Sequence, residues 1–574
     1  MNRHCAFATF WLVALTALPV VAVDESSDAV RSGEIKILEK ESSVAASQGI
    51  LSSQGKPDSF SWAGSDPQVL KTLLAEFTHP LSWQAQREVA VATLSSPVLP
   101  DADGDVPENW LLLRMEALYR LSEYEGGWTL FRSLNPSFLT EPVARLGATI
   151  GWATGRTHRT CDLTGALMKN ESTEFESESS RLYWLIHYML CQQLDGKQAE
   201  AEISLGLLQE SVPKQLPPLL APLFEGGDAT LPTLSAKDAI LYSALAALID
   251  KNTNGIKQRI GSDFVSIPLA QTLPPELQAS LSGVSKLPVL LRAYFAERAL
   301  QAHRLDANQL AALYLKVARL SKSPKDTTLL PTYTRALTYV DTNTSRTAEN
   351  QVQTVESALR TFHKIFSARD SRAILGKTLR KLVAEDHGLS ITLLYETIGL
   401  YLDRGDNAEA EDVARALNNH QDNGSEIAAS IAGRILQIAA NQYRFTNDEI
   451  VLPDFAQAPD ASIVWLVTRY GRIMEAQGYR VRWPERPLDG LAPPPDLNYA
   501  APERLNALHM SLSDGSHAEQ LLRSLQVLDA TPPQRTSDQA LLQVLAAWNK
   551  VGLRSYSNAL MTEALLGIPD RRVP

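Results

Sequence analysis

The stretch ITLLYETIGLYLDRGDNAEAEDVARAL, residues 391–417, decides the fold. From Ile391 to Leu402 apolar residues keep helical spacing. Asp403-Arg404-Gly405-Asp406 is turn chemistry, and Ala408 to Leu417 returns as a second helix. Glycine lets the chain reverse, and the small Ala410 lets the two helices approach. Such a hairpin exposes an apolar stripe that only a neighbouring hairpin can cover, so one unit implies a stack.

The same grammar recurs outward along the chain. Asn109 to Leu121 carries Leu111, Leu112, Met115, Leu118 and Leu121 on one face; Ser122 to Gly127 turns, and Trp128, Leu130, Phe131 and Leu134 follow. Tyr183 to Leu194 turns at Asp195-Gly196 into Lys197 to Leu208, and Leu541 to Trp548 turns at Lys550-Val551-Gly552 into Leu560 to Leu566. Ser235 with Asp238 reads as a capping box ahead of Ala239 to Ile249, and Pro274-Pro275-Glu276 as a helix start. Prolines otherwise cluster between hairpins, and no alternating β-branched runs flank Asn-Gly or Asp-Gly turns. The expectation is an all-α chain: an α-solenoid of stacked antiparallel helical hairpins with a disordered N-terminal segment. Its segments are 1–22, a signal peptide; 23–66, a disordered arm or tether; 67–215, N-terminal hairpins; 216–330, a proline-punctuated helical region; 331–450, hairpins; and 451–574, a C-terminal helical region.

The N-terminus points to export. Arg3 and His4 precede an apolar run from Ala6 to about Leu18, Pro19 breaks it, and Val20-Val21-Ala22 supplies small residues before a cleavage point. An uncleaved membrane anchor is the alternative. Cleavage would remove one base, Arg3, from a chain of net charge −11, a balance that repels phosphate backbones and argues against nucleic acid as partner. No internal run is long and apolar enough to cross a bilayer. Signal and low cysteine content together place the protein outside the cytoplasm, secreted or in the periplasm of a Gram-negative bacterium.

Beyond the leader two cysteines remain, Cys161 and Cys191. Their midpoint, residue 176, falls in the polar segment between a helix around Arg159 to Met168 and another around Arg181 to Leu194. In an antiparallel hairpin the sulfurs would lie at equal height. The reading is a structural disulfide, with two unpaired core cysteines as the alternative.

Two hairpins agree in detail. Leu185, Gly196, Ala201, Leu205 and Leu208 stand in the relative positions of Leu394, Gly405, Ala410, Ala414 and Leu417. This spacing resembles the tetratricopeptide repeat. Tyr401 fits that family's aromatic position, whereas Gln192 does not, and the family's tryptophan and terminal proline have no counterpart. The resemblance implies a helical-repeat scaffold for a protein or peptide partner.

No catalytic, cofactor-binding or metal-ligating set is read. Gly376-Lys377-Thr378 has Ser371 where a phosphate loop needs glycine. The histidines are scattered singly, without HExxH, and His187 reads as a satisfied core residue. Gly283-Val284-Ser285-Lys286-Leu287 lacks the second glycine of a nucleophile elbow. A helical superhelix in the envelope also resembles the non-catalytic arm of soluble lytic transglycosylases, but neither Glu356-Ser357 nor Glu171-Ser172 is followed by that family's Gly-Leu-Met-Gln. Two surface features are candidates for partner binding: the basic run Arg360, Lys364, Arg369, Arg372, Lys377, Arg380 and Lys381, and the segment around Arg480, Arg482, Trp483 and Arg486. The expectation is a non-enzymatic envelope scaffold or adaptor, with a peptidoglycan-binding or processing module as the alternative. A groove of mixed polar and apolar side chains favours the first; paired carboxylates among exposed tryptophans favour the second.

Overall fold

The structure is a computed structural model. It describes residues 37–38, 60–97, 109–134, 139–154, 156–169, 177–211, 275–283, 285, 287–320, 322–344, 347–385, 389–418, 450–452, 461–476, 480–483, 498–529, 531 and 536–566. The signal peptide, most of the arm, the Ser235 capping box, Glu171-Ser172 and the Arg486 segment lie outside these residues.

The described chain is an all-α solenoid, 21 helices with almost no strand. The N-terminal helices are α1 (Pro67–Glu76), α2 (Gln84–Ser95), α3 (Trp110–Arg120), α4 (Tyr124–Arg132), α5 (Glu141–Ala153), α6 (Thr157–Lys169), α7 (Glu178–Leu194) and α8 (Gln198–Ser211). The central ones are α9 (Pro275–Gly283), α10 (Val289–Gln301), α11 (Ala307–Val317), α12 (Leu330–Thr344), α13 (Ala348–His363), α14 (Ala368–Glu385), α15 (Ile391–Arg404) and α16 (Asn407–Asn418). The C-terminal ones are α17 (Ala461–Ala476), α18 (Pro502–Asp514), α19 (His517–Leu528), α20 (Asp538–Lys550) and α21 (Arg554–Leu566). Two parallel pairs of two-residue strands pin connections: β1 (Ile37–Leu38) on β2 (Leu139–Thr140), and β3 (Ile450–Val451) on β4 (Val481–Arg482).

One turn geometry recurs. Gly196, Gly405 and Gly552 have left-handed backbone at φ 79°, 77° and 83°, and the next amide bonds the carbonyl five residues back. Those bonds run Lys197 N to Gln192 O, Asp406 N to Tyr401 O and Leu553 N to Trp548 O, each 2.8–2.9 Å. They satisfy carbonyls that a helix end leaves open. Ser122 and His303 take the same conformation without glycine, at φ 59° and 55°, and make the same bond through Glu123 and Arg304. Five residues past the left-handed position stand the buried small residues Gly127, Ala201, Ala410 and Ser557, where the two helices touch.

Cys161 and Cys191 are bonded between α6 and α7, with Cα atoms 5.4 Å apart. The equal-height argument therefore holds, although the helices extend a few residues beyond the expected ends. Its physical consequence is a tie across the N-terminal stack. His187, on the same helix, is buried as expected. Its Nδ1–H donates to Tyr183 O, its ring lies 3.9 Å from the Tyr183 ring, and burial pushes its pKa down to about 4.

The expectation of a disordered arm through residue 66 needs correction at its end. Phe60 and Trp62 are buried, Trp62 edge-on to Trp110, and Ala518 N donates to Ser61 O at 2.9 Å. Two large aromatic rings bury enough apolar surface to offset the entropy of ordering this short stretch. Asp66 then caps α1, accepting from Gln68 N.

The ends of the chain meet. Trp83 donates to Thr531 O at 2.8 Å, Gln86 to Leu525 O at 2.9 Å, and Gln526 to Leu73 O at 3.2 Å, so α1 and α2 pack on α19 and α21. On its other side α21 reaches the central hairpins, where Tyr395 donates to Leu565 O at 2.9 Å and Arg372 to Leu566 O at 3.4 Å. From α15 the packing passes through α14 to α11. Arg304, in the α10–α11 turn, returns it to Glu123 in the α3–α4 turn at 3.3 Å. The stack of hairpins is thereby bent into a closed circuit of contacts.

Candidate functional site

Inside that circuit lies a cavity of about 1100 Å³. One wall is α2, presenting Gln84, Glu88, Val91, Ala92 and Ser95; the opposite wall is α14, presenting Arg369, Ala373, Gly376, Lys377 and Arg380. The remaining edges are the turns at Glu123 and His303, the end of α15 at Leu400 and Asp403, and Tyr556 of α21.

The α14 stripe follows from helical spacing: positions 369, 373, 376, 377 and 380 fall on one side. Glycine at 376 sits close to α15: a Cβ there would meet the Leu400 side chain at 3.2 Å, a tight contact. Ser367 caps the helix, accepting from Asp370 N at 3.1 Å and donating to Asp370 Oδ2 at 2.7 Å. His303 Nδ1 lies 3.2 Å from the same carboxylate oxygen. Burial works against charge on Asp370, but His303, Ser367 and the nearby Arg369 outweigh it and hold the carboxyl below its usual range.

Most carboxylates on the cavity wall are engaged. Glu123 takes Arg87 and Arg304; Glu125 takes Arg156 at 2.7 Å; Asp403 takes Arg372 at 2.8 Å; Asp306 caps its own helix; Glu88 accepts from Gln84. The cations of α14 are not matched in this way. Among the described residues no carboxylate forms an ion pair with Arg369, Lys377 or Arg380; Arg380 donates only to Gly376 O at 3.2 Å.

Of the residues singled out in the sequence, three therefore converge on the cavity: Arg369, Lys377 and Arg380. Arg360 and Lys364, at the end of α13, are exposed but do not line it. Arg372 is no surface residue: its side chain is 3% exposed and sits between Glu396 and Asp403. The physical reason is its angular position, one turn from Arg369 but rotated onto the α15 side, where a Cβ on Gly399 would meet the guanidinium at 2.8 Å. Burial opposes its charge, and Asp403 and Glu396 more than restore it. Trp483 is likewise packing: its ring lies over Gly471 of α17 and its Nε1 donates to Glu475. The α2 wall, His303 and Tyr556 had no signal in the sequence, since only the closing of the circuit brings them to α14.

Chemically the cavity is suited to holding a ligand. Among the described residues its lining carries no tryptophan, and its hydroxyls are those of Ser95 and Tyr556, the first donated to Val91 O. Among the described residues the hydroxyl bonded to the His303–Asp370 pair is that of the capping Ser367. Among the described residues no group of three His, Cys, Asp or Glu could hold a metal, and no helix is long and apolar enough to cross a membrane. Comparison with known protein families, curated proteins and solved structures gives no match.

Proposed function

We propose that the protein is an exported, non-enzymatic helical-repeat adaptor that holds a segment of a protein or peptide partner in the cell envelope. The observation that carries this reading is the cavity closed by N-terminal, central and C-terminal hairpins together. Its volume, about 1100 Å³, is above the usual range of small-molecule sites and suits a length of chain. The mixed polar and apolar lining, with no tryptophan among the described residues and Tyr556 as its one six-membered aromatic ring there, favours a peptide over a glycan, whose sugar faces stack on exposed aromatic rings. Engagement of Asp370 and Asp403 with His303 and Arg372 speaks against a glycosidase pair. The tetratricopeptide-like spacing of two hairpins agrees with such a role.

The test is photo-crosslinking in the envelope of the source cell. A photoreactive residue replaces Ala373 inside the cavity, with a control at Met510, which is 66% exposed on α18. A recurrent partner peptide captured at Ala373 and absent at Met510 is expected. No capture specific to Ala373 overturns the adaptor reading. N-terminal sequencing of the exported form is expected to begin at Val23; a start at Met1 would refute cleavage.

A further inference from the structure

We infer that the segment held in the cavity is acidic and is read by the α14 stripe of Arg369, Lys377 and Arg380, an inference that rests on the adaptor reading above. Three observations converge. First, the stripe faces a cavity and no carboxylate of the described residues forms an ion pair with it, Arg369 acting on Asp370, Asp403 and Glu563 only at longer range, whereas most carboxylates around it are neutralised by their own partners. Charges outside any ion pair at the wall of a binding cavity, Lys377 and Arg380 above all, are the ones available to a ligand.

Second, the cations stand against the charge of the whole molecule. A chain of net charge −11 repels an acidic ligand at long range, so a local cationic wall serves recognition and not general attraction. Salt screens the distant field beyond roughly 8 Å but not a contact within the cavity.

Third, the spacing fits an extended peptide. Eight residues of helix separate Arg369 from Lys377 by about 12 Å along the axis, with Arg380 about 4.5 Å further. In an extended chain, carboxylates four residues apart on one face are about 13 Å apart, so side chains at i and i+4 meet the two sites. The α2 wall opposite offers Val91 and Ala92 to the other face of such a strand, and Gln84 and Ser95 to its backbone. Glu88, exposed on that wall, disfavours a ligand that is acidic on both faces.

The probe is a fluorescein-labelled decapeptide alternating glutamate and serine, compared with its glutamine–serine counterpart, titrated into the full folded chain and read by anisotropy. The acidic peptide is expected to bind at least about tenfold more tightly, the scale of one charge-assisted contact, and to keep a preference at physiological salt. Lys377→Glu with Arg380→Glu abolishes the preference while the thermal unfolding midpoint holds; Arg380→Gln, which adds no negative charge, reduces it. Equal affinity for the two peptides, or a preference that survives the double reversal, overturns the inference. Inorganic polyphosphate displacing the peptide more effectively, charge for charge, overturns the peptide assignment in favour of a polyphosphate ligand. The Ala373 crosslink separates the two levels. A captured partner segment without acidic residues overturns only the acidity, and no capture together with no peptide binding overturns the adaptor reading as well.

Discussion

At the scale of single residues, neighbouring arginines on α14 have opposite roles. Arg372 bridges Glu396 and Asp403 and donates to the end of α21, so Arg372→Ala strands the buried Glu396 and the half-buried Asp403. A loss of about 3–5 kcal/mol in urea unfolding is expected. Lys377→Ala, exposed in the cavity, is expected within about 0.5 kcal/mol of the parent. Equal effects would refute the division between them. Two titrating groups also oppose each other. His187 has its pKa lowered to about 4 by burial, so between about 4 and 6.5 the unfolded chain binds the extra proton and stability falls on acidification, by about 1.4 kcal/mol per pH unit. Glu563 is pushed up to about 7 by burial, against the pull of the Ala85 and Gln84 amides and of Arg369, with Asp403 raising it further. There the folded state binds the extra proton from about 4.5 to 7, so this contribution is full at low pH and is lost as pH rises through 7. Glu563→Gln removes that gain: its melting temperature is expected to fall more steeply than the parent's between pH 7 and 5. Parallel pH profiles for variant and parent would show that Glu563 does not titrate there.

At the scale of elements, legibility followed the turn residue. The hairpins at Gly196 and Gly405 were readable because glycine is the residue that enters left-handed backbone freely. The α10–α11 hairpin was not, because His303 occupies the equivalent position and no turn signature marks it. A non-glycine residue there carries roughly 1 kcal/mol of strain. The Asp370 contact gives histidine a reason to stay. His303→Gly therefore relieves backbone strain while removing the carboxylate's partner. The expected outcome is a lower melting temperature at pH 7, the lost Asp370 contact outweighing the relieved strain. A raised melting temperature would mean that the Asp370 contact contributes nothing. The basic run on α14 shows the same limit from another side. Its charges were visible, but helical angle alone did not separate Arg372 from Arg369, because nothing local said which side α15 would cover. The disulfide was legible for the opposite reason: its geometry is set inside one hairpin, by residues 30 apart.

At the scale of the whole molecule, periodicity reveals stacked hairpins but not where the stack ends, and here it closes on itself. The closure rests on α21. Glu563 caps the start of α2 at 2.8 Å and 3.0 Å, where Trp83 supplies no side-chain cap of its own, while Tyr395 and Arg372 cap the last carbonyls of α21. One helix thus satisfies backbone groups of the N-terminal stack and has its own satisfied by the central one, across more than 470 residues of sequence in the first case. No local pattern encodes such a pairing, which is why the α2 wall of the cavity was invisible in the sequence. Removing residues 554–574 should then act at a distance. The amides of Gln84 and Ala85 lose their acceptor, α2 loses the face that packs on α21, and the cavity opens along that seam. Hydrogen exchange is expected to rise at the start of α2 and around Arg372, with α7 and the disulfide hairpin still protected, since they touch neither seam. Unchanged protection in α2 would show that α19 alone holds the ends together; loss of protection throughout would show that the circuit folds as one cooperative unit, with no seam at α21.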